Sequence, residues 1–253
     1  MGLSSNINDA IKPDEDAVSP PKAGYECDPC DFSNMIVCDC AVRAFLPVQE
    51  VTIAPGEHPL QYRYTFWYSR RTPSRPASTH NYEENIRQFG TVASVEQFWR
   101  IYSHIVRPGD LTGYSDFHLF KDGIKPMWED EANKNGGKWI IRLRKGLASR
   151  FWENIILAML GEQFMVGEEI CGVVVSIRFQ EDILSIWNKT ANDQFSTVRI
   201  RDTLRRVLNL PPNTIMEYKT HTDSLKRITA STQRRAMIYT FYILKNTEMI
   251  PLT

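Results

Sequence analysis

No charge of either sign is in excess. Thirty Lys plus Arg stand against thirty Asp plus Glu in 253 residues, so no global field draws the chain to nucleic acid or to a membrane. Any phosphate must be held by a local patch. No apolar run approaches the ~18–20 residues that cross a bilayer; the strongest, residues 155–160, is far shorter. A secretory signal is missing. So is a complete myristoylation pattern, because Asn6 occupies the position where Met1-Gly2-Leu3-Ser4-Ser5 would need Ser or Thr to follow. Cysteine is scarce. Four of the five lie in Cys27-Asp-Pro-Cys30 and Cys38-Asp-Cys40. The first pair has a zinc spacing, but the second is tighter than a usual second half and no His lies nearby, so a thiol-rich arm without metal is the plainer expectation. The odd total and the missing signal imply a reducing, cytoplasmic setting. No cofactor is expected, and no internal repeat is visible.

Composition divides the chain into three. Residues 1–57 lack periodicity, include Pro20-Pro21 and read as a disordered arm. Dense aromatics begin at His58 and continue to about residue 225, defining one domain. Residues 226–253, with Arg234-Arg235, form a divergent tail. Within the domain, residues 61–69 alternate Tyr62, Tyr64, Phe66 and Tyr68 against Arg63, Thr65 and Trp67. Residues 138–144 and 172–180 alternate too, and 183–187 reads as a hairpin partner across Glu181-Asp182. Helices are expected from a capping box at Ser94-Val-Glu-Gln97 onward to about Val106, over 151–160, and over 197–208 before Pro211-Pro212. Strands interspersed with a few helices, without strict alternation, indicate α+β, with helices on one face of a largely antiparallel sheet. The parity of the strands puts Lys138, Arg142 and Arg178 on the other face.

The segment Gly123-Ile-Lys-Pro-Met-Trp-Glu-Asp-Glu-Ala-Asn-Lys-Asn-Gly-Gly137 carries the most chemistry. Trp128 offers a flat π-surface and Glu129 a fixed acceptor pair, which together suit a guanine edge and, above all, a cationic purine such as 7-methylguanine. Cations on the open sheet face would hold phosphates while rings stack a base. A structural Trp beside a solvated acid, with an ordinary basic sheet face, remains the bland alternative. A third possibility, a Mg²⁺-dependent hydrolase built on Glu129-Asp130-Glu131, lacks a second ligand group, a nucleophile and a base. No enzyme activity is expected.

His58-Pro-Leu-Gln61, Ser94-Val-Glu-Gln-Phe-Trp99, Phe120-Lys-Asp-Gly-Ile-Lys-Pro-Met-Trp-Glu129, Gly136-Gly-Lys-Trp139, Cys171-Gly-Val-Val174, Ile186-Trp187 and Leu210-Pro-Pro212 together resemble the cap-binding translation initiation factor 4E family. The resemblance runs in order from His58 to about residue 225. It implies a strongly curved antiparallel sheet with three helices on the convex back and a slot for the messenger RNA cap on the concave side. It further implies that Trp128 stacks on the base, Glu129 recognises guanine, Trp187 touches the N7-methyl group and Arg178 binds phosphate. The second stacking position falls on Tyr82, a weaker cation–π partner than Trp. Two family lysine positions fall on Gln180 and Ile183; Lys138 replaces an arginine, and Arg142 compensates. Weaker cap binding than in the initiation factor is therefore expected.

On the convex side the resemblance implies a groove for partner helices bearing Tyr-x-x-x-x-Leu-hydrophobic, matched by His58, Pro59, Val95, Trp99, Leu157, Gly161 and Glu162. The family's Leu-Glu pair after Phe151-Trp152 is replaced by Glu153-Asn154, which weakens docking of the large initiation scaffold. With Tyr64, Tyr82 and the long loop at 69–78, these departures resemble the 4E-homologous protein branch. A monomeric translational repressor that occupies capped messenger RNA with adaptor proteins is the resulting expectation. A cap-binding factor that promotes initiation is the alternative.

Overall fold

The computed structural model describes residues 51–71, 85–111 and 113–223. Most of the sequence-defined arm and tail, the Cys27–Cys40 motif and Tyr82 therefore lie outside the described residues. Among the described residues, seven strands form one antiparallel sheet in the order β2-β1-β3-β5-β6-β4-β7. They are β1 (Pro59–Arg71), β2 (Ile86–Ser94), β3 (Tyr114–Lys121), β4 (Gly137–Leu143), β5 (Ile170–Ile177), β6 (Asp182–Asn188) and β7 (Met216–Thr220). Among the described residues three α-helices, α1 (Val95–Tyr102), α2 (Ala148–Leu160) and α3 (Gln194–Val207), cover the convex face.

The period-two pattern of β1 decides the layers. Tyr64, Phe66 and Tyr68 point into the main core with Phe117, Val173, Val175, Leu184 and Ile186 of the neighbouring strands. Phe98 and Ile101 of α1, Trp152, Ile155, Ile156 and Met159 of α2, and Ile200 and Leu204 of α3 close that core from the helical side. Cross-strand pairing puts the other parity on the concave face. Thr65 pairs with Phe120, Trp67 with His118 and Ser69 with Asp116, while Lys138 pairs with Trp187 and Arg142 with Ile183. The expected separation of Lys138, Arg142 and Arg178 from the helices thus holds.

Local chemistry sets the helix ends. The Ser94 hydroxyl accepts from the Gln97 N–H at 3.1 Å, and the Gln97 side chain reaches back to the Ala93 N–H at 2.9 Å. That is a capping box with its return bond one residue early. Helix α1 stops at Tyr102 rather than continuing to Val106. Ser103 Oγ donates to the Trp99 carbonyl at 2.7 Å, offering the last turn a side-chain partner, and a 3₁₀ turn begins at Pro108. Helix α2 starts three residues before the expected position.

Strands β2, β3 and β7 were not expected from periodicity. In β3, every residue after Tyr114 is buried, so its Phe117-His-Leu-Phe120 run has no polar face to alternate with. Between β5 and β6 the pairing skips Cys171. The bulge turns the Cys171 side chain away from the main core, into a second apolar cluster with Phe120, Val174 and Trp187. Burial raises the Cys171 thiol pKa to about 12, which keeps it a packing group.

Candidate functional site

The second apolar cluster anchors one end of the concave face, and the loop from Asp122 to Gly136 folds against it. Ile124 packs on the cluster, and the Cys171 thiol approaches the Ala132 carbonyl at 3.6 Å. Asn133, fully buried, braces the loop by donating to the Lys125 and Met127 carbonyls at 2.8 and 2.7 Å. Asp130 accepts from the Lys125 N–H at 3.0 Å and the Ala132 N–H at 2.9 Å. These bonds fix the turn on which Trp128 and Glu129 sit. The Trp128 indole N–H donates to the Glu129 carboxylate, so ring and acid are mutually oriented, with Glu129 exposed and Trp128 half-buried.

Gly136 and Gly137 do more than let the chain into β4. A Cβ on Gly136 would stand 2.0 Å from the Asn188 carbonyl oxygen, and one on Gly137 would stand 2.5 Å from the Tyr218 hydroxyl oxygen. Close approach of backbones, not a left-handed conformation, demands glycine there. The Gly136 carbonyl accepts from the His221 N–H at 3.0 Å, tying the loop to the segment after β7.

Trp187 forms the floor beside this loop. Phe120 meets it edge-on at 5.4 Å, and His221 lies tilted against it at 4.3 Å. Lys138 Nζ stands 5.1 Å from the ring. Gly172 makes room for Phe120, whose ring lies 2.4 Å from where a Cβ would be. The Trp187 indole nitrogen and both His221 ring nitrogens are buried and have no hydrogen-bond partner among the described residues. Burial and, secondarily, the Lys138 charge depress the His221 pKa to about 4, so the ring is neutral at physiological pH.

Arg178 lies at the other end. It donates to the buried Asp116 carboxylate at 2.6 Å and to the Ile177 carbonyl at 2.8 Å, so its guanidinium is already oriented before any ligand arrives. Asp116 also accepts from Ser69 at 3.3 Å, and Ser69 contacts His118 Nε2 at 3.3 Å. Arg142, on β4, is paired with Glu181 in the turn between β5 and β6, which offsets the charge assigned to it from sequence. Trp187 pairs with Gly172 near the start of β5, and Arg178 follows directly after the last residue of that strand, so a strand length separates the two ends. The face therefore offers an aromatic, acidic end and a cationic end joined by a strand length. Sequence reasoning missed Trp67, Asp116, His118 and His221. Trp67 was visible in the β1 alternation, but the others lie on segments without period.

The convex groove is assembled from three elements. Val95, Trp99 and Leu157 expose large apolar surface on α1 and α2, with Gly161 and Glu162 just past the end of α2 and His58 and Pro59 at the start of β1. Glu96 holds His58, accepting from its N–H at 2.8 Å and contacting Nδ1 at 2.7 Å. The contact lowers the Glu96 pKa to about 2 and raises that of His58. Glu162, with a positive φ of 50°, accepts from the Tyr64 hydroxyl at 3.0 Å. Next to Trp99 a cavity of about 260 Å³ is lined by Phe66, Tyr102, Arg107, Trp152 and Glu153. Burial, with the Glu153 carboxylate adding to it, pushes the Tyr102 hydroxyl pKa upward. Trp99 is thus a surface residue, and Glu153, which the family resemblance sets at a leucine position, puts a carboxylate in the cavity wall.

A curved sheet backed by three helices, with a Trp–Glu loop and a tryptophan floor on its open face, makes a concave surface suited to a flat aromatic ligand. The family model for eukaryotic initiation factor 4E matches residues 59–236, and the chain belongs to that family, whose members are cap-binding factors and not enzymes. It is 51% identical over 183 residues to translation initiation factor 4E-4 of Caenorhabditis elegans, covering 72% of this chain and 86% of that one. It is 48% identical over 171 residues to translation initiation factor NCBP of Oryza sativa subsp. japonica, covering 68% and 74%. Among solved structures, C. elegans eIF4E-3 in complex with the 4E-binding protein Mextli and a cap analogue superposes with a TM-score of 0.63 at 36% identity, over 67% of this chain and 96% of that one. Ascaris suum eIF4E-3 with an m7G cap gives 0.61 at 36% identity, over 65% and 92%. Among the described residues no helix is long and apolar enough to cross a membrane.

Proposed function

We propose that this protein holds the 7-methylguanosine cap of messenger RNA on its concave face and represses translation by occupying it, in the cytoplasm, without recruiting the initiation scaffold. The observation that carries cap recognition is the Trp128–Glu129 pair, locked in mutual orientation on a loop braced by Asn133 beside Trp187. In this reading Trp128 and Tyr82 sandwich the methylated base, adding a cation–π term to stacking. Glu129 accepts from the guanine N1 and N2 hydrogens, Trp187 contacts the methyl group, and Arg178 faces the phosphates with Lys138 and with Arg142, whose charge Glu181 partly offsets. Solved relatives with caps bound lend the assignment support.

Repression rests on a separate observation. Glu153 lines the cavity beside Trp99, where an apolar segment of a scaffold would have to bury a carboxylate. Adaptors carrying a Tyr-x-x-x-x-Leu-hydrophobic helix dock on Val95, Trp99 and Leu157, near His58, Pro59, Gly161 and Glu162. A solved relative bound to the 4E-binding protein Mextli supports an adaptor on this family. Retention of the tagged protein on cap-analogue resin from cell extract, followed by mass spectrometry, tests both parts. Adaptors without the scaffold are expected. Abundant scaffold would establish the alternative, a factor that promotes initiation, and failure to bind the resin would defeat cap recognition itself.

A further inference from the structure

Helix α3 buries one face and leaves the other uncovered. Ser196, Ile200 and Leu204 lie inward, whereas Phe195, Val198, Arg199, Asp202 and Arg206, at helical spacing, line one shallow hollow of about 660 Å³. Phe195 is 70% exposed and Val198 43%. Met165, in the turn after α2, adds a third apolar side chain, 69% exposed and carried at a positive φ of 52° that bulky residues rarely adopt. Arg199 joins them: its guanidinium lies 5.7 Å from the Phe195 ring centre and donates to the Met165 sulfur at 3.7 Å. Single exposed apolar residues are ordinary, but three gathered around one hollow mark a docking surface.

The charges around the hollow select its occupant. Asp202 is already paired with Arg201 at 2.9 Å. Among the described residues neither Arg199 nor Arg206 has a carboxylate partner; Arg206 donates to the Gln163 carbonyl at 3.4 Å. The hollow is therefore cationic on a chain of zero net charge. Whatever covers it must be apolar toward Phe195 and bring carboxylates to the two arginines. From Phe195 to Arg206 the hollow runs about 16 Å along α3, the length of roughly three turns of a second helix laid beside it. Single-stranded RNA would answer the arginines but leave Val198 and Met165 uncovered, since stacking needs rings and Phe195 alone supplies one.

We infer that the outer face of α3 docks an acidic amphipathic helix of a partner protein, its apolar anchors on Phe195, Val198 and Met165 and its Asp or Glu side chains on Arg199 and Arg206. None of Val95, Trp99 and Leu157 lines this hollow, so the face works independently of the convex groove and of the concave slot. A partner can be carried while both of those are occupied. Because the charged contacts are exposed, its binding weakens as salt is raised.

The test follows the fluorescence anisotropy of a labelled synthetic helix of about 18 residues, leucine on one face and glutamate elsewhere, titrated with the full chain. One control peptide replaces every glutamate by lysine, and a second scrambles the acidic sequence so that no apolar face remains. The acidic amphipathic peptide is expected to bind, and both controls to bind at least about fivefold more weakly, the least effect of removing a hot-spot contact. Phe195→Ser should weaken the acidic peptide by the same factor, and Arg199→Glu should shift the preference toward the lysine peptide. Neither substitution should change the circular dichroism or the m7GTP affinity. Failure of the acidic peptide to bind, equal binding of either control, or undiminished binding to Phe195→Ser would overturn the inference. Binding lost in a folded Trp99→Ala variant would do so too, by placing the peptide in the convex groove. Self-association in sedimentation that Phe195→Ser removes would overturn it in favour of a second copy of this chain.

Discussion

His221 should make this fold acid-sensitive in a pH range where carboxylates contribute little. Its imidazole is fully buried against Trp187, and its pKa falls from 6.5 to about 4 because burial and then Lys138 disfavour the charged form. The unfolded chain binds a proton at this residue near pH 6.5, whereas the native state refuses it until about pH 4. Stability is therefore intact above pH 6.5 and declines as the pH falls through the interval between these values. The full difference of two and a half pK units corresponds to about 3 kcal/mol. Between pH 7.5 and 5 the linkage relation gives a loss of about 2 kcal/mol, well before Glu96 or Asp193, whose pKa values are lowered, begins to protonate. His58 works in the opposite direction, since Glu96 raises its pKa, but its exposure keeps that contribution small. Urea unfolding at the two pH values measures the loss. The comparison is His221→Phe, which keeps a ring against Trp187 and cannot titrate, so its stability should be nearly flat over the interval. Parallel losses in wild type and variant would refute the reasoning, as would an NMR titration placing the imidazole near 6.5.

Other outcomes follow from the same geometry. Trp128→Ala should abolish retention on cap-analogue resin, whereas Trp99→Ala should retain the cap and lose adaptor proteins; an unfolded Trp99→Ala chain, seen by circular dichroism, would remove Trp99 from the groove. Gly136→Ala forces a methyl group into the Asn188 carbonyl, and such overpacking should cost about 1–3 kcal/mol in denaturant unfolding with a parallel fall in cap affinity. Glu153→Leu removes the carboxylate from the cavity beside Trp99. It should increase scaffold recovered in cap pull-downs several-fold, while m7GTP affinity measured by calorimetry stays the same.

What the amino-acid sequence disclosed depended on whether a segment kept one wet face. In β1, Tyr62 to Tyr68 alternate with Arg63, Thr65 and Trp67, so strand, register and both faces could be read directly. In β3 the two faces are both covered, one by helices and one by the Phe120–Trp187 cluster, and the run 117–120 carries no period to read. Asp116 and His118 were hidden for that reason. The Trp128–Glu129 loop was legible as chemistry because stacking and acceptance need those residue types. Its bracing was not, since Asn133 and Asp130 act on backbone groups that no side-chain pattern announces. The His221 contact with Trp187 joins residues distant in sequence, and only the pairing of β4 with β7 brings them together.

The single sheet has a consequence for how such a chain can vary. Adjacent residues of β1 belong to different worlds: Tyr64 bonds Glu162 beneath the partner groove, while Thr65 bonds Asp122 at the root of the Trp128 loop. Nothing thicker than one strand separates them. A one-residue insertion or deletion within β1 would exchange the two sets, sending Tyr64, Phe66 and Tyr68 toward solvent and Trp67 into the helices. Point substitutions can tune either surface independently, but length changes in the strands cannot. Divergence in chain length among functional relatives should therefore be confined to the connections.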